Sequence, residues 1–305
     1  MTHASIIICT YNRSDSLQRT LERFESLLTK KNISFEILVV DNNSSDDTRT
    51  VTESFIRLTK LDVKYIFEKK QGKSFALNRG IIEASGEIIA FTDDDILVRY
   101  DWLLNIIKAF EDYKCLCVGG KIILRLEKSS PEWLSNKLME QLGFLDLGDV
   151  PFLLTQPKLY GANFAVAKAV FKKYGHFDEE LGPKGNKMYN NEDIHFVSKL
   201  INGGERVVYS PDIVVEHVIP THHLRKSYFR KRMFYQGVAK GISMGTYEYR
   251  KFLEIPLYVI REFVVSSFEY IYLKFTNPKE SFQKEVALSE RIGFIVGRIK
   301  YVTST

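Results

Sequence analysis

Short apolar runs alternate with helical patterns along the first part of the chain. The predicted strands are Ser5–Thr10, Phe35–Val40, Val63–Phe67 and Ile88–Phe91. Between them, apolar residues recur at helical spacing: Leu17, Leu21, Phe24 and Leu28, then Val51, Phe55 and Leu58, then Leu77 and Ile81. Ile88–Phe91 is apolar throughout, as in a strand buried on both faces of a parallel sheet. The alternation predicts an α/β fold whose mostly parallel sheet is flanked by helices, with right-handed crossovers.

The later part of the chain shows shorter patterns. A helix is predicted from Asp101, and residues 129–157 have no readable pattern. The other predicted elements are strands at Cys115–Gly119, Ile122–Leu126, Tyr160–Val166, Val207–Tyr209 and Ile213–Val215, and helices at Lys168–Tyr174 and from Glu192. After Pro220 the sequence turns helical and basic. We therefore predict one α/β domain over residues 1–220 and a basic, aromatic helical extension over residues 221–305.

Polar residues follow three of the predicted strands, at Thr10–Arg13, Asp41–Asn43 and Asp93–Asp95. The carboxyl ends of parallel strands meet at one edge of a sheet, which is where open α/β sheets bind ligands. Three adjacent carboxylates repel one another, so a positive partner is expected beside them. A hard divalent cation with oxygen ligands suits this position. The alternative for the acidic stretch alone is a solvated turn.

Composition limits the function classes. The 305 residues are 45% hydrophobic and 27% charged, which is ordinary for a globular protein with room for about two domains. The three cysteines predict free thiols in a reducing cytosol. Ser5–Thr10 is too short for the apolar region of a signal peptide, so we expect a cytoplasmic protein. The chain lacks both G-x-G-x-x-G after its first strand and a P-loop, which argues against dinucleotide and P-loop nucleotide binding.

Basic residues concentrate at the end of the chain. The net charge is +5, and residues 218–305 hold 15 basic and 7 acidic side chains. Five of these cations lie among aromatic residues: Arg225, Lys226, Arg230, Lys231 and Arg232. This mixture predicts peripheral association with an anionic membrane, with a solvated charged helix or a contact to a diphosphate as alternatives. Charges within Ile255–Phe275 exclude an ordinary spanning helix and favour one that is interfacial or packed on the body.

Several motifs in order carry a resemblance to a known family. They are Thr10–Arg13, Val40–Asp46, Gly72-Lys73, Ala76–Gly80, Asp93–Asp95, Gly161–Asn163 and Glu192-Asp193. Together they closely resemble the family 2 glycosyltransferases, which are inverting enzymes of GT-A fold. The resemblance covers about Ser5 to His217 and, more loosely, the basic helix after it. The Q-x-x-R-W signature of processive members is absent, which favours the transfer of one sugar per binding event.

The resemblance implies roles for matching residues. A nucleotide-sugar would be bound by Thr10, Tyr11, Asn12, Arg13, Asp41, Asn43, Lys73, Asn78, Asp93 and Asp94, with Trp102, Gly161 and Asn163 lining the acceptor and sugar pocket. Asp95 would ligate Mn²⁺ or Mg²⁺, and His217 is the candidate for a further metal ligand. Asp193 matches the catalytic base, while Glu192 would orient the acceptor or cap the helix.

The implied reaction moves one sugar from a nucleotide-diphospho-sugar, expected to be a UDP-sugar, to an acceptor hydroxyl. By analogy the acceptor is a lipid-linked or growing cell-surface saccharide, handled at the inner face of the cell membrane. No nucleic-acid partner is expected. Three alternatives are open: a haloacid dehalogenase-type phosphatase using Asp93 and Asp95, a nucleotidyltransferase, and a non-catalytic GT-A scaffold. Leu97 stands where that phosphatase family wants Thr or Val, and the glycine- and lysine-rich signature of nucleotidyltransferases is missing.

Overall fold

A computed structural model describes residues 3–29, 33–183, 191–243, 251–252 and 255–304. The strands are β1 His3–Thr10, β2 Ser34–Asp41, β3 Val63–Phe67, β4 Ile88–Asp93, β5 Ile96–Val98, β6 Cys117–Leu126, β7 Phe152–Leu153, β8 Phe164–Ala167, β9 Val207–Ile219, β10 Lys251–Phe252 and β11 Ile255–Pro256. The helices are α1 Ser14–Phe24, α2 Thr48–Leu58, α3 Lys73–Glu83, α4 Trp102–Tyr113, α5 Asn136–Glu140, α6 Val170–Tyr174, α7 Glu192–Asn202, α8 Lys226–Ser243, α9 Leu257–Thr276 and α10 Pro278–Ser304.

The main sheet has the order β3-β2-β1-β4-β8-β6-β9-β5, and β7 pairs with β9. Strands β1 to β4 pair in parallel, whereas β8 runs antiparallel to both β4 and β6. The predicted α/β architecture is therefore confirmed. The register aligns the strand ends, because Thr10 lies opposite Asp41 and Cys9 lies opposite Asp93.

Several predicted elements differ from the structure. The two strands predicted within residues 115–126 are one strand, β6, and those predicted within residues 207–215 are one long strand, β9. The short strand β5 was not predicted. On α2, the predicted apolar face is wrong at its end, because Leu58 is 86% exposed whereas Thr48 and Thr52 are buried. Most of the segment Gly182–Asn191 lies outside the described residues.

The chain separates into two compact units. The first holds Met1–Arg125, Leu142–Gly185 and Asn190–Val218, and the second includes Leu126–Gln141 and Ile219–Thr305. The core of the first unit is apolar on both faces of the sheet, with Ile7, Val39 and Phe91 fully buried. The predicted assignment of separate roles to residues 1–220 and 221–305 stays a prediction. No helix among the described residues combines the length and the apolar character needed to cross a membrane.

Candidate active site

The loop after β1 ties together the ends of three neighbouring strands. Thr10 Oγ1 donates a hydrogen bond of 2.7 Å to Asp94 Oδ2 beyond β4. Asn12 has a left-handed backbone with φ of 52°, and its side-chain oxygen accepts from the backbone N–H of Ser45 beyond β2 at 2.7 Å. Asn is among the few residues that tolerate this conformation. These contacts hold the polar loops at one edge of the sheet, where ligand binding is expected.

Arg13 supplies the positive charge that the acidic stretch requires. Its Nη1 lies 2.8 Å from Asp94 Oδ1 and 2.7 Å from Asp95 Oδ2. Burial raises the pKa of Asp94 to about 6, although Arg13 opposes the shift. Burial alone would also raise the pKa of Asp95, but His217 and Arg13 hold it well below its ordinary value. Asp95 therefore stays ionised, as a metal ligand must.

Asp95 and His217 form the candidate metal pair. Antiparallel pairing of β5 with β9 places Ile96 opposite His217, and His217 Nε2 lies 3.3 Å from Asp95 Oδ1. Asp95 Oδ1 is buried, and His217 is its ion-pair neighbour, but this contact lacks hydrogen-bond geometry. A buried carboxylate oxygen left in this state is costly unless a ligand satisfies it. One carboxylate and one imidazole are donors that suit Mn²⁺, so the residues present fit the implied cation. Among the described residues, no group of three or more His, Cys, Asp or Glu side chains could hold a metal.

Lys73 connects the acidic stretch to the start of α7. Its Nζ lies 2.6 Å from Asp93 Oδ1 and 3.8 Å from Glu192 Oε1. Burial alone would lower the pKa of Lys73, but Asp93 and Glu192 raise it above its ordinary value. Lys73 is therefore a fixed cation between two carboxylates on different elements.

The two carboxylates that begin α7 differ in environment. Asp193 is half-buried, and its two oxygens accept from the backbone N–H groups of Gly161 at 2.6 Å and Ile194 at 2.7 Å. Burial raises the pKa of Asp193 above its ordinary value. Glu192 is buried, and its Oε2 has no hydrogen-bond partner. Burial and the charge of Asp193 raise the pKa of Glu192 to about 7. Pairs of carboxyl groups with shifted pKa values are typical of sites of acid–base chemistry.

Gly161 stands at the junction of these groups. A Cβ at this position would lie 3.4 Å from Lys73 Nζ and 3.6 Å from Asp193 Oδ2. A side chain of any size would therefore occupy the space beside both charged groups. The structure thus brings Gly161, Lys73 and Asp193 together in the candidate site.

The remaining predicted nucleotide residues lie around the same edge. Asp41 is buried, and its carboxylate accepts from Ser44 N at 2.9 Å and from the Tyr65 hydroxyl at 2.7 Å. Tyr11 is exposed, with 39% of its surface accessible. Asn43 is exposed and has a left-handed backbone with φ of 67°. Tyr11 and Asn43 are therefore accessible to a ligand. The carboxylate of Asp41, in contrast, is engaged by Ser44 and Tyr65.

Three predicted ligand-binding side chains are instead held inside the structure. Trp102 and Asn163 are fully buried, and Trp102 Nε1 donates to Asn163 Oδ1 at 2.8 Å. The amide nitrogen of Asn163 donates to the carbonyls of Lys121 and Ile213. Both side chains therefore belong to the core and not to an open sugar pocket. The side chain of Asn78 is also fully engaged. Its Nδ2 donates to the carbonyl of Phe177, and its Oδ1 accepts from the backbone N–H of the same residue.

Asn42 is a site residue that the sequence reasoning missed. Its Oδ1 accepts from Gly72 N at 2.7 Å, and its Nδ2 donates to the Lys70 carbonyl at 2.6 Å. These bonds position the loop that leads into Lys73. Gly72 has a φ of 142°, which L side chains rarely adopt. Asn42 could have been found from its place between Asp41 and Asn43 at the end of a predicted strand. A polar side chain that is buried there must form hydrogen bonds.

Comparison with known proteins settles the family. The model of glycosyl transferase family 2 matches residues 5–175. The chain belongs to this family. A glucosyl-dolichyl phosphate glucuronosyltransferase of Haloferax volcanii is 23% identical over 78% of this chain and 76% of its own length. A GalNAc(5)-diNAcBac-PP-undecaprenol beta-1,3-glucosyltransferase of Campylobacter jejuni is 32% identical over 59% of this chain and 56% of its own.

Solved structures share the fold. A mannosyltransferase of Pyrobaculum calidifontis in complex with GDP-Man and Mn²⁺ has a TM-score of 0.64, at 17% identity, over 99% of this chain and 87% of its own. TarS residues 1–349 of S. aureus, in complex with UDP-GlcNAc, has a TM-score of 0.56, at 16% identity, over 100% of this chain and 93% of its own. The GT-A fold of this family 2 glycosyltransferase is thus confirmed.

Proposed function

We propose that this glycosyltransferase inverts the anomeric centre of one sugar as it moves that sugar from a UDP-sugar to an acceptor hydroxyl. The observation that carries the proposal is that the stretch Asp93–Asp95 contacts two groups of side chains. Asp95 lies against Arg13 and His217, and Asp93 pairs with Lys73, whose Nζ lies 3.8 Å from Glu192 Oε1 at the start of α7. One end of this arrangement offers a metal pair and the other offers a base. A single displacement needs both, on opposite sides of the reacting carbon.

The metal end serves the leaving group. Asp95 and His217 would hold Mn²⁺ or Mg²⁺, which supplies Lewis acidity to the departing diphosphate. Arg13 lies against Asp94 and Asp95 and adds a further positive charge at this edge. Tyr11 offers an exposed ring on which a nucleoside base can stack. The donor complexes of the solved neighbours, one with GDP-Man and one with UDP-GlcNAc, support a diphosphate donor.

The base end serves the acceptor. Asp193 accepts the proton that the attacking hydroxyl loses as the new bond forms. Its raised pKa, caused mainly by burial, strengthens it as a base compared with an ordinary Asp. The backbone N–H of Gly161 holds the carboxylate in one orientation. Glu192 precedes Asp193 in the chain. Its Oε1 lies 3.8 Å from Lys73 Nζ and helps to position that cation.

The names of two relatives support a particular class of acceptor. Two relatives carry names that specify dolichyl phosphate and PP-undecaprenol substrates. A lipid-linked or cell-surface saccharide is therefore the acceptor we propose, with the reaction at the cytoplasmic face of a membrane.

A screen of nucleotide-sugars by thermal shift with and without Mn²⁺ tests the donor. A donor present at 100 times its dissociation constant stabilises the native state by about 2.7 kcal/mol. We expect the largest shift with a UDP-sugar and Mn²⁺, followed by release of UDP and transfer to a saccharide. Release of inorganic phosphate from phosphate esters would instead support the phosphatase alternative. Donor binding without any turnover would support the scaffold.

A further inference from the structure

The helix α9 presents an apolar face to solvent. Six of its exposed residues recur every three or four positions and form a set that we call the α9 stripe: Leu257, Arg261, Val264, Phe268, Ile271 and Phe275. Phe268 is 70% and Phe275 is 83% exposed. At about 1.5 Å per residue the stripe is roughly 27 Å long. Isolated exposed apolar residues are common, but a continuous face of this kind indicates an interaction surface.

Charges of both signs lie around the stripe, but the acidic ones are paired. The two acidic residues of α9 are paired with cations of α10, Glu262 with Arg291 at 3.2 Å and Glu269 with Lys284 at 2.6 Å. The two pairs have the register of an antiparallel helix hairpin. The charge on the stripe itself is Arg261, so the surface is apolar with one cation. This combination complements a lipid interface that carries anionic headgroups.

The packing of α8 against α10 explains how α9 is supported. A Cβ on Gly237 or Gly241 of α8 would collide with the backbone of α10, and a Cβ on Gly293 or Gly297 of α10 would collide with the backbone of α8. Each helix thus brings a G-x-x-x-G motif to the contact. This close approach joins α8 to α10, the helix against which α9 packs.

From these observations we infer that α9, supported by α10 and α8, lies in a membrane interface through the α9 stripe. The inference deepens the proposed function, because a lipid-linked acceptor requires the enzyme at a membrane surface. It also moves the contact away from the predicted basic cluster on α8. There Phe229 is fully buried, Arg230 pairs with Glu285, and Lys226 lies over the ring of Phe282.

Co-sedimentation of the full chain with vesicles tests the inference. Vesicles of phosphatidylcholine alone are compared with an equimolar mixture of phosphatidylcholine and phosphatidylglycerol. The double variant Phe268→Ser/Phe275→Ser should partition at least about tenfold more weakly into both. Arg261→Gln should lose about fivefold on the anionic vesicles and little on the neutral ones. Leu58→Ser removes an equally exposed apolar residue from α2 and should bind as wild type.

Two further measurements keep the result interpretable. Phe268→Trp should show a blue shift of tryptophan emission with vesicles, relative to the same addition to wild type. Matching circular dichroism spectra of the double serine variant and wild type establish that both are folded. If the double variant does not fold, the single variant Phe275→Ser repeats the test. Vesicle binding is read without donor or acceptor, so failure of the proposed function would leave it unchanged.

The inference is overturned if wild type binds neither vesicle, or if the serine variants bind as wild type does. A stripe that joins two copies of the chain would give a dimer that the double variant dissociates, without vesicle binding. That outcome would also overturn it.

Discussion

The sheet edge with the candidate active site and the C-terminal helices place charge and apolar surface in opposite ways. At the sheet edge Asp94, Asp95 and Glu192 are nearly buried, and Arg13 and Lys73 compensate them. In α9 the acidic residues face cations of α10, while the apolar stripe faces solvent. Neither arrangement favours stability, because buried charges need compensation and exposed apolar surface promotes association. The comparison is what the two proposals rest on, a charged donor at the sheet edge and a lipid surface at the α9 stripe.

The largest expected effect concerns the base. Asp193→Asn removes the proposed general base, so transfer should fall by about 10²–10⁴-fold. Binding of donor and Mn²⁺ should stay normal, because the metal pair Asp95 and His217 lies on other elements. Initial rates of transfer, together with calorimetry of UDP and Mn²⁺ binding, measure both quantities.

Glu192→Gln is the matched control for that variant. It changes the neighbouring carboxyl group and leaves Asp193 in place. If it is inactive while Asp193→Asn transfers at a near-normal rate, the base is Glu192 and the assignment is wrong by one residue.

Next in size is the metal pair. His217→Ala should weaken the metal-dependent part of UDP binding by about 10–100-fold, which is the scale on which groups around a metal act. The metal-independent part should stay, because Tyr11 and the polar loops of β1 and β2 are untouched. Calorimetry with and without Mn²⁺ separates the two parts. An unchanged metal-dependent part would exclude His217 as a ligand.

Features of this site that depend on neighbouring residues in the chain could be predicted from the sequence, whereas contacts between distant residues could not. The polar ends of β1, β2 and β4 were predictable, because apolar runs mark the strands and parallel pairing aligns their ends. The β5 strand was missed, since three residues directly after an acidic turn carry no period, yet its pairing is what places His217 beside Asp95.

Some roles could not be read because partners lie far apart. Trp102 and Asn163 are separated by 61 residues and meet only in the folded core. A Trp at the start of a helix beside an acidic loop resembles a ligand-binding residue as much as a core residue. Likewise, α2 buries Thr48 and Thr52 and exposes Leu58, because its contacts with the sheet override side-chain polarity.

A third prediction concerns the helix contact. Gly293→Ala gains about 1 kcal/mol of helix propensity, but its Cβ would collide with the carbonyl oxygen of Phe234 on α8. Overpacking of this kind costs about 1–3 kcal/mol, so we expect a net loss of up to about 2 kcal/mol in the free energy of unfolding. Denaturant titration measures it, with Gln283→Ala on the same helix as the control. A stabilised Gly293→Ala would show that α8 and α10 pack less closely than described.

The fourth prediction uses the raised pKa of Glu192. Its folded pKa of about 7 exceeds its ordinary value of 4.5, so the folded state binds the proton more tightly. This contributes stability that is fully present below about pH 4.5 and lost as the pH rises through about 7. Glu192→Gln does not titrate and should gain up to about 3 kcal/mol relative to wild type across that window. Denaturant titrations at the two ends of the window measure the difference. A difference that does not vary with pH would show that Glu192 is ionised throughout.

The smallest expected effect separates the two surfaces of the C-terminal helices. Lys231 is an exposed cation of the predicted basic cluster on α8. One cation near an anionic surface contributes up to about 1 kcal/mol, so Lys231→Gln should weaken binding to phosphatidylglycerol vesicles by about fivefold at most. The loss should vanish at high salt, since exposed charges are screened. The stripe variant Phe268→Ser/Phe275→Ser should retain its larger loss under the same conditions, because apolar burial does not depend on screening. If Lys231→Gln instead loses more than the stripe variant at low salt, the basic cluster and not the α9 stripe is the principal membrane contact, and the contrast between the two regions fails.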